Sequence, residues 1–456
     1  NTGEDMTNLT SYALLDAYFD MNLPQPILSV KLHKNTPRKL YESLGRFFFT
    51  PGCLTPSLFN DDAVFSVLQN MSGVSAEDLE DYAVAGCQEP LIMGKDNGNT
   101  TNSWLNLGKV LELSLNGGVS TITGKRLGKS DEELGYADKK TVLENIREIF
   151  YHNLDKYLDK MTACASAASE AIGLLQVPFL STMMGGVKSG IDARDTKKQG
   201  TKYNGSGCLI HGLSVVADSF IAIDTLLKER PQDVDRLIEA LRTNFENDPE
   251  MQQYLLTAPK FGNHIASVDD EAVSDMVASR KNYLENPFRA DWSTPSTHLL
   301  YGYWVGATPD GRKTREQLGY GVDPLYGEAH QGLGFRMLSN MKLPFEKMNG
   351  GYASHLGINP NYFKTPAFES KGLEFRDKII GPLFYNPQKK GISPFYLYVN
   401  VATPEMLRKV LAEPKKYAPS GVYIVRIHGT FVNFLDLSPD IQEDIIKRLD
   451  PASTSM

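Results

Sequence analysis

Apolar residues recur along this chain in two rhythms: every third or fourth position in long stretches, every second position in short ones. The run Asn8-Leu-Thr-Ser-Tyr-Ala-Leu-Leu-Asp-Ala-Tyr-Phe19 has helical spacing behind polar capping candidates, and Pro24 and Pro26 close it. Ile27 to His33 alternates as a strand, and Thr36-Pro37 starts another helix. Gly52 to Asp62 reads as a loop, and a short helix follows from Asp61 to Asn70. Ser75-Ala-Glu-Asp78 carries a capping pattern and leads into a strand bearing Cys87. A polar loop is predicted from Gly94 to Ser103, then an amphipathic helix from Trp104 to Asn116 closed by Gly117-Gly118.

Further on, residues 130–175 read as helices, Pro178 to Ser181 as a short strand, and His211 to Leu227 as a buried helix. Residues 231–246 form an amphipathic helix, 286–300 are irregular, and Leu300 to Gly306 suggests a strand before the tight turn Ala307 to Arg312. Phe395 to Val401 has clean period two, and Thr403-Pro-Glu405 caps a helix to about Leu411. Val422 to Ser438 is strand-like around Gly429, and Ser438-Pro starts the last helix. Strands alternating with helices imply an α/β architecture with a mainly parallel sheet.

The chain has 456 residues, 41% apolar and 22% charged, which suits a large soluble core. Net charge is −8 and no basic block is interleaved with aromatics, so nucleic acid is not an expected partner. No apolar run is long enough to span a membrane. The acidic start lacks the apolar segment of a signal peptide, and the first residue is Asn, as in a trimmed or partial polypeptide. Cys53, Cys87, Cys164 and Cys208 are widely spaced, so no zinc or iron–sulfur site is expected and a reducing cytoplasm is. Cys53, Cys164 and Cys208 read as small core residues.

Two stretches change this picture. In Ala83 to Gly94, Cys87 and Glu89 stand two apart before Pro90; in Val422 to Ser438, Arg426-Ile-His-Gly429 breaks an apolar run. In isolation each is an ordinary half-buried strand or a bulge. Together Cys87-x-Glu89-Pro90 and Arg426-Ile-His-Gly429 resemble the two signature sites of the glycyl radical enzymes. Asn106 to Gly117, Tyr203-Asn-Gly, Ala217 to Ile223 and Gly306 to Arg312 extend the resemblance along the chain.

The resemblance implies half, about five strands, of a ten-stranded α/β barrel, with the Cys and Gly loops inside it. Residues 1–400 would be the C-terminal half-barrel and 401–456 the glycyl radical domain. Family members carry several hundred residues before the cysteine and this chain carries 86, so a separate or missing N-terminal half-barrel is implied. An open half-barrel exposes sheet edges and should not be stable alone. Two departures stand out: Thr430 follows the glycine where the family has Tyr, and Gln88 lies between Cys and Glu where many members have Val.

Glycine suits radical storage because its Cα, free of a Cβ, can flatten and delocalise the electron into both flanking amides. A buried, neutral thiol relays hydrogen in either direction. If the Cys87 segment is extended, Glu89 projects to the same side, and burial raises the pKa of a carboxyl group toward that of a useful base. The resemblance therefore implies a cytoplasmic, anaerobic radical lyase: Cys87, Glu89 and Gly429 eliminate water, an amine or sulfite from a small hydroxylated substrate. Gln88, Asn99, Thr101 and Asn102 are candidate pocket residues. An arylacetate-type radical decarboxylase and a non-catalytic barrel-completing subunit are the alternatives. No bound cofactor or metal is expected, and a radical S-adenosylmethionine activating enzyme would install the radical on Gly429. A homo-oligomer is expected. His428 reads as a structural hydrogen-bonding residue and Arg312 as the ion pair of a turn.

Overall fold

Helix signals in the chain are local ones, and they act where they stand. Asn8 caps the helix Leu9–Met21 in a capping box with Ser11. Thr403 accepts from the Met406 amide at the head of Pro404–Ala412, and Pro439 starts the last helix, Pro439–Arg448. The structure, a computed structural model, describes residues 4–86, 88–96, 99–195, 197–198, 200–203, 205–278, 289–293, 298–427 and 430–450. Cys87, His428 and Gly429 lie outside the described residues.

The strands are β1 (Ser29–Leu32), β2 (Ser57–Asn60), β3 (Tyr82–Ala85), β4 (Glu89–Ile92), β5 (Asn99–Asn106), β6 (Gly205–His211), β7 (Arg289–Ser293), β8 (His355–Ile358), β9 (Tyr396–Val401), β10 (Ile424–Ile427) and β11 (Thr430–Asn433). One sheet has the order β1-β2-β9-β8, another β5-β6-β7, and β3-β4 and β10-β11 are hairpins. The β5-β6-β7 sheet is parallel throughout. In the other, β1 and β2 are parallel to each other, as are β8 and β9, and the two pairs meet antiparallel at β2 and β9.

Several elements differ from the sequence-based expectation. Ser57–Asn60 lies in the predicted loop, and its polar ends are satisfied from far along the chain: the Asn60 amide donates to the Phe384 and Pro394 carbonyls. The polar stretch from Asn99 is a strand because β6 supplies its backbone partners, so the following helix starts at Leu107 instead of Trp104. Residues through His211 form β6, and the helix predicted from His211 starts at Leu213. Pro178–Met183 is a helix with Pro at its first position, where a missing N–H costs nothing. The aromatic run after His298 is the helix His298–Tyr303, against which Trp104 stacks at 5.6 Å from Tyr301.

The cores follow the sheets. Val30, Leu58, Leu356, Leu397 and Val399 pack with Phe47, Phe48, Phe375 and Phe384 of flanking helices. A second core joins Leu111, Phe150, Phe220 and Ile223 beside β5 and β6. Each fully buried side chain of this size contributes roughly 1.5–3 kcal/mol. Between them lies a tyrosine-rich core with Tyr320, Tyr352, Tyr396 and Tyr398. Residues from Leu407 to Leu449 form a core of their own around Val410, Val425, Phe434 and Ile445. Among the described residues, no helix is long and apolar enough to cross a membrane.

Candidate active site

Two hairpins flank the positions singled out by sequence. In the first, β3 and β4 pair from Tyr82 opposite Ile92 to Ala85 opposite Glu89. Gly86 and Gln88 are turn residues, and Cys87 between them lies outside the described residues. Gly86 has φ of +57°, and a Cβ there would stand 2.5 Å from Glu89 Oε2. That oxygen accepts from the Gln88 amide at 3.0 Å. The Glu89 carboxylate therefore folds back over the turn, and Gln88 and Glu89 are 3% and 6% exposed.

A second backbone segment backs this hairpin. Gly351, at φ +99°, lies so close that a Cβ would meet the Gln88 carbonyl oxygen at 2.5 Å. The Tyr352 phenol next to it accepts from the Phe395 and Tyr396 amides at 2.8 and 2.9 Å and donates to the Tyr396 carbonyl at 3.1 Å. The Gln88 turn is thereby set against the start of β9. From the other side, the Lys31 ammonium donates to the Tyr82 carbonyl at 2.6 Å and sits over its ring.

The second hairpin, β10 and β11, pairs Ile424 with Asn433 through Ile427 with Thr430. Its Arg426 is fully buried. The guanidinium donates to the Thr55 carbonyl at 3.2 Å and to Ser57 Oγ at 2.5 Å. It also lies 5.0 Å from the Tyr398 ring and 5.4 Å from the Phe431 ring. The Arg426 amide donates to Asn400 Oδ1 at 2.9 Å, and Asn400 Nδ2 donates to the Arg426 carbonyl at 3.0 Å. His355 Nε2 is 3.3 Å from the same Nδ2. Because Nδ2 is a donor, Nε2 accepts and the His355 proton sits on Nδ1. Burial, then Arg448, Arg336 and Arg426, hold the His355 pKa well below its usual value, so the ring is neutral.

The last helix is pinned in the same way. Arg448 donates to the Tyr398 hydroxyl at 3.1 Å and pairs with Asp444 at 3.0 Å, and Asp444 meets His298 at 3.1 Å. Burial pushes the Asp444 carboxyl up, but Arg448 and His298 outweigh it and hold it below the ordinary range. Arg426→Lys is expected to destabilise the assembled protein by about 1–3 kcal/mol, since an ammonium cannot serve both Thr55 and Ser57 in the fork geometry of a guanidinium. Denaturant unfolding with an unchanged midpoint would remove Arg426 from this anchoring role.

The other expected residues stand as follows. Asn99, Thr101 and Asn102 are on β5, and their side chains lie outside the described residues. Arg312 holds its turn by donating to the Gly306, Lys313 and Glu316 carbonyls at 2.5, 2.8 and 2.8 Å, in place of the expected ion pair. Cys208 is buried and Cys53 half-buried, its thiol pushed up to about 12 by burial, but Cys164 is exposed and is not a core residue. Among the described residues, no group of His, Cys, Asp or Glu is placed to hold a metal ion. Sequence reasoning missed Thr55, Ser57, Gly351, Tyr352 and Asn400. Asn400 left one signal, a carboxamide within the apolar run of β9.

The profile of the family described as pyruvate formate lyase-like matches residues 1–302. The chain is 24% identical to trans-4-hydroxy-L-proline dehydratase of Clostridioides difficile, over 98% of this chain and 55% of the relative. It is 25% identical to (2S)-3-sulfopropanediol dehydratase of Klebsiella oxytoca, over 98% of this chain and 54% of the relative. Its fold matches the glycerol-bound form of the B12-independent glycerol dehydratase from Clostridium butyricum with a TM-score of 0.85 and 26% identity, over 98% of this chain and 55% of that one. The chain thus spans about half the length of the curated relatives it matches.

Proposed function

Since the chain belongs to the pyruvate formate lyase-like family of glycyl radical enzymes, we propose that it is the C-terminal, catalytic part of a radical lyase. The observation that carries this reading is that β9 links to both hairpins flanking positions 87 and 429: its Tyr396 amide donates to the Tyr352 phenol, next to the Gly351 that abuts the Gln88 carbonyl, and its Asn400 bonds the Arg426 backbone. Hydrogen transfer needs the reacting atoms near van der Waals contact, and a common strand is a rigid support from which two loops can be held in register. The relatives named as dehydratases support elimination as the reaction class.

In this mechanism a radical stored on Gly429 takes the hydrogen of the Cys87 thiol. The thiyl takes a hydrogen from a hydroxyl-bearing carbon, and Glu89 accepts the hydroxyl proton as the leaving group departs with its bonding electron pair; Glu89 passes that proton to a departing hydroxide or amine, and sulfite departs as the anion. The product radical regains hydrogen from Cys87, and Gly429 gives its own back to the sulfur. Gln88, Asn99, Thr101 and Asn102 border the substrate. Residues 401–456 form the radical domain, a division supported by the separate core from Leu407 to Leu449. The antiparallel junction of β2 with β9 is the seam of a barrel. Residues 1–400 supply one half of that barrel, and a separate or missing N-terminal half completes it. A radical S-adenosylmethionine activating enzyme installs the radical. The assembly is an anaerobic, cytoplasmic homo-oligomer.

The test is product analysis on the anaerobically activated, closed barrel offered glycerol, trans-4-hydroxy-L-proline, a hydroxysulfonate and an arylacetate. Elimination from one of the first three is expected. Carbon dioxide from the arylacetate would replace elimination with decarboxylation, and a radical-bearing barrel inert to all four would favour the scaffold role. Glu89→Gln is expected to lower kcat about 10²–10⁴-fold with the radical content unchanged. An unaltered kcat would take the base role away from Glu89.

A further inference from the structure

Among the described residues, β10 and β11 pair only with each other, while β9 belongs to a different sheet. Among the described residues, no backbone ladder therefore ties this hairpin to the sheet of β9. The Asn400 side chain takes the place of one. Its carboxamide offers an acceptor to the Arg426 amide and a donor to the Arg426 carbonyl, the same two-bond exchange that a neighbouring strand would provide. Its orientation is set, because a flipped amide would put donor against donor and acceptor against acceptor, and His355 Nε2 accepts the remaining N–H. Asn400 is 8% exposed, so its bonds face little competition from water.

The other end of β9 is tied to the Cys87 side. Tyr396 is bound by the Tyr352 phenol, and Gly351 abuts the Gln88 carbonyl. Tyr396 and Asn400 are four residues apart on one strand, about 13 Å at ~3.3 Å per residue. We propose that Asn400 is a positioning residue for the hydrogen transfer between Gly429 and Cys87, keeping the radical hairpin in register with the Cys87 hairpin through β9. This rests on the glycyl radical reading above, and its role begins only after the radical has been installed.

The contact between the two loops can be read without a substrate. In D2O the radical on Gly429 takes deuterium from the Cys87 S–D, the thiyl returns with either hydrogen isotope, and the thiol re-equilibrates with solvent. Each cycle conserves the spin, and those in which the thiyl takes the protium leave deuterium on the glycine Cα, so the electron paramagnetic resonance doublet collapses over successive cycles. The experiment compares the closed, activated barrel with its Asn400→Leu and Asn400→Asp variants, with Cys87→Ser as the zero. Leu keeps the shape of Asn without hydrogen bonds, and Asp keeps the acceptor but loses the donor. Both variants are expected to reach the parental spin count per chain and to collapse at least about tenfold more slowly, in line with the cost of a small misplacement of reacting groups. Equal collapse rates would overturn the proposal. Loss of spin in both variants would overturn it too, because Asn400 would then serve installation or folding. A parental barrel with no doublet would instead refute the glycyl radical reading itself.

Discussion

Gly429→Ala is expected to abolish turnover, leaving the uncatalysed background, a fall of about 10⁶-fold or more on the usual scale of enzymic acceleration. Radical storage at a backbone carbon requires that carbon to flatten between two amides. An alanine Cβ adds a substituent to the radical centre and restricts the backbone on both sides of the change. The variant should give no doublet after anaerobic treatment with an activating enzyme. It should also stay intact in air, where the activated parent is expected to break at this position. Mass spectrometry before and after exposure to air reads this directly. Retained turnover, or cleavage of the variant at the same place, would remove Gly429 from the mechanism. Cys87→Ser should likewise lose turnover but keep the doublet, since it breaks the relay and not the store.

Gly351→Ala is expected to cost at least about 10²-fold in kcat with little change in radical content. Its φ of +99° is a conformation that L side chains rarely adopt. A methyl group there would stand 2.5 Å from the Gln88 carbonyl oxygen, a backbone atom with no soft rotation by which to yield. Either Gln88 moves or Gly351 and Tyr352 withdraw from it. Overpacking of this kind costs about 1–3 kcal/mol in stability, whereas a displacement near 1 Å at reacting groups costs about 10² in rate. At ~1.36 kcal/mol per tenfold the rate effect, about 2.7 kcal/mol, should therefore be comparable to the stability effect. An alanine variant with parental kcat would show that the Cys87 turn is placed by other contacts.

Much of the fold follows from local signals. Caps and prolines announced the helices at Leu9, Pro404 and Pro439, and period two announced β9. The misassigned pieces share one property: their partners are distant in sequence. Ser57–Asn60 looks like a loop because serine and asparagine are turn residues, until Arg426, Phe384 and Pro394 satisfy them. Asn99 to Ser103 looks like a loop for the same reason, until β6 pairs with it. In both cases tertiary hydrogen bonds override a local preference.

For the site the division is sharper. The sequence by itself determined the chemistry on offer, a cysteine two positions before a carboxylate and a lone glycine within an apolar strand, because residue type and spacing are covalent facts. Those residues and their order carried the resemblance to the family, whose profile matches residues 1–302. Only the tertiary structure decided how the pieces are held. Glu89 folds back onto the Gln88 amide, Gly351 presses on the Gln88 carbonyl, and the carboxamide of Asn400 grips the Arg426 backbone. Apart from the carboxamide of Asn400 within the apolar run of β9, none of these contacts has a sequence signature, since each joins a common residue to a backbone group across a long or conformationally unusual stretch of chain. Hydrogen bonds to backbone atoms depend on where the chain runs and not on which side chain it carries there, so they become legible only when the strands are in place.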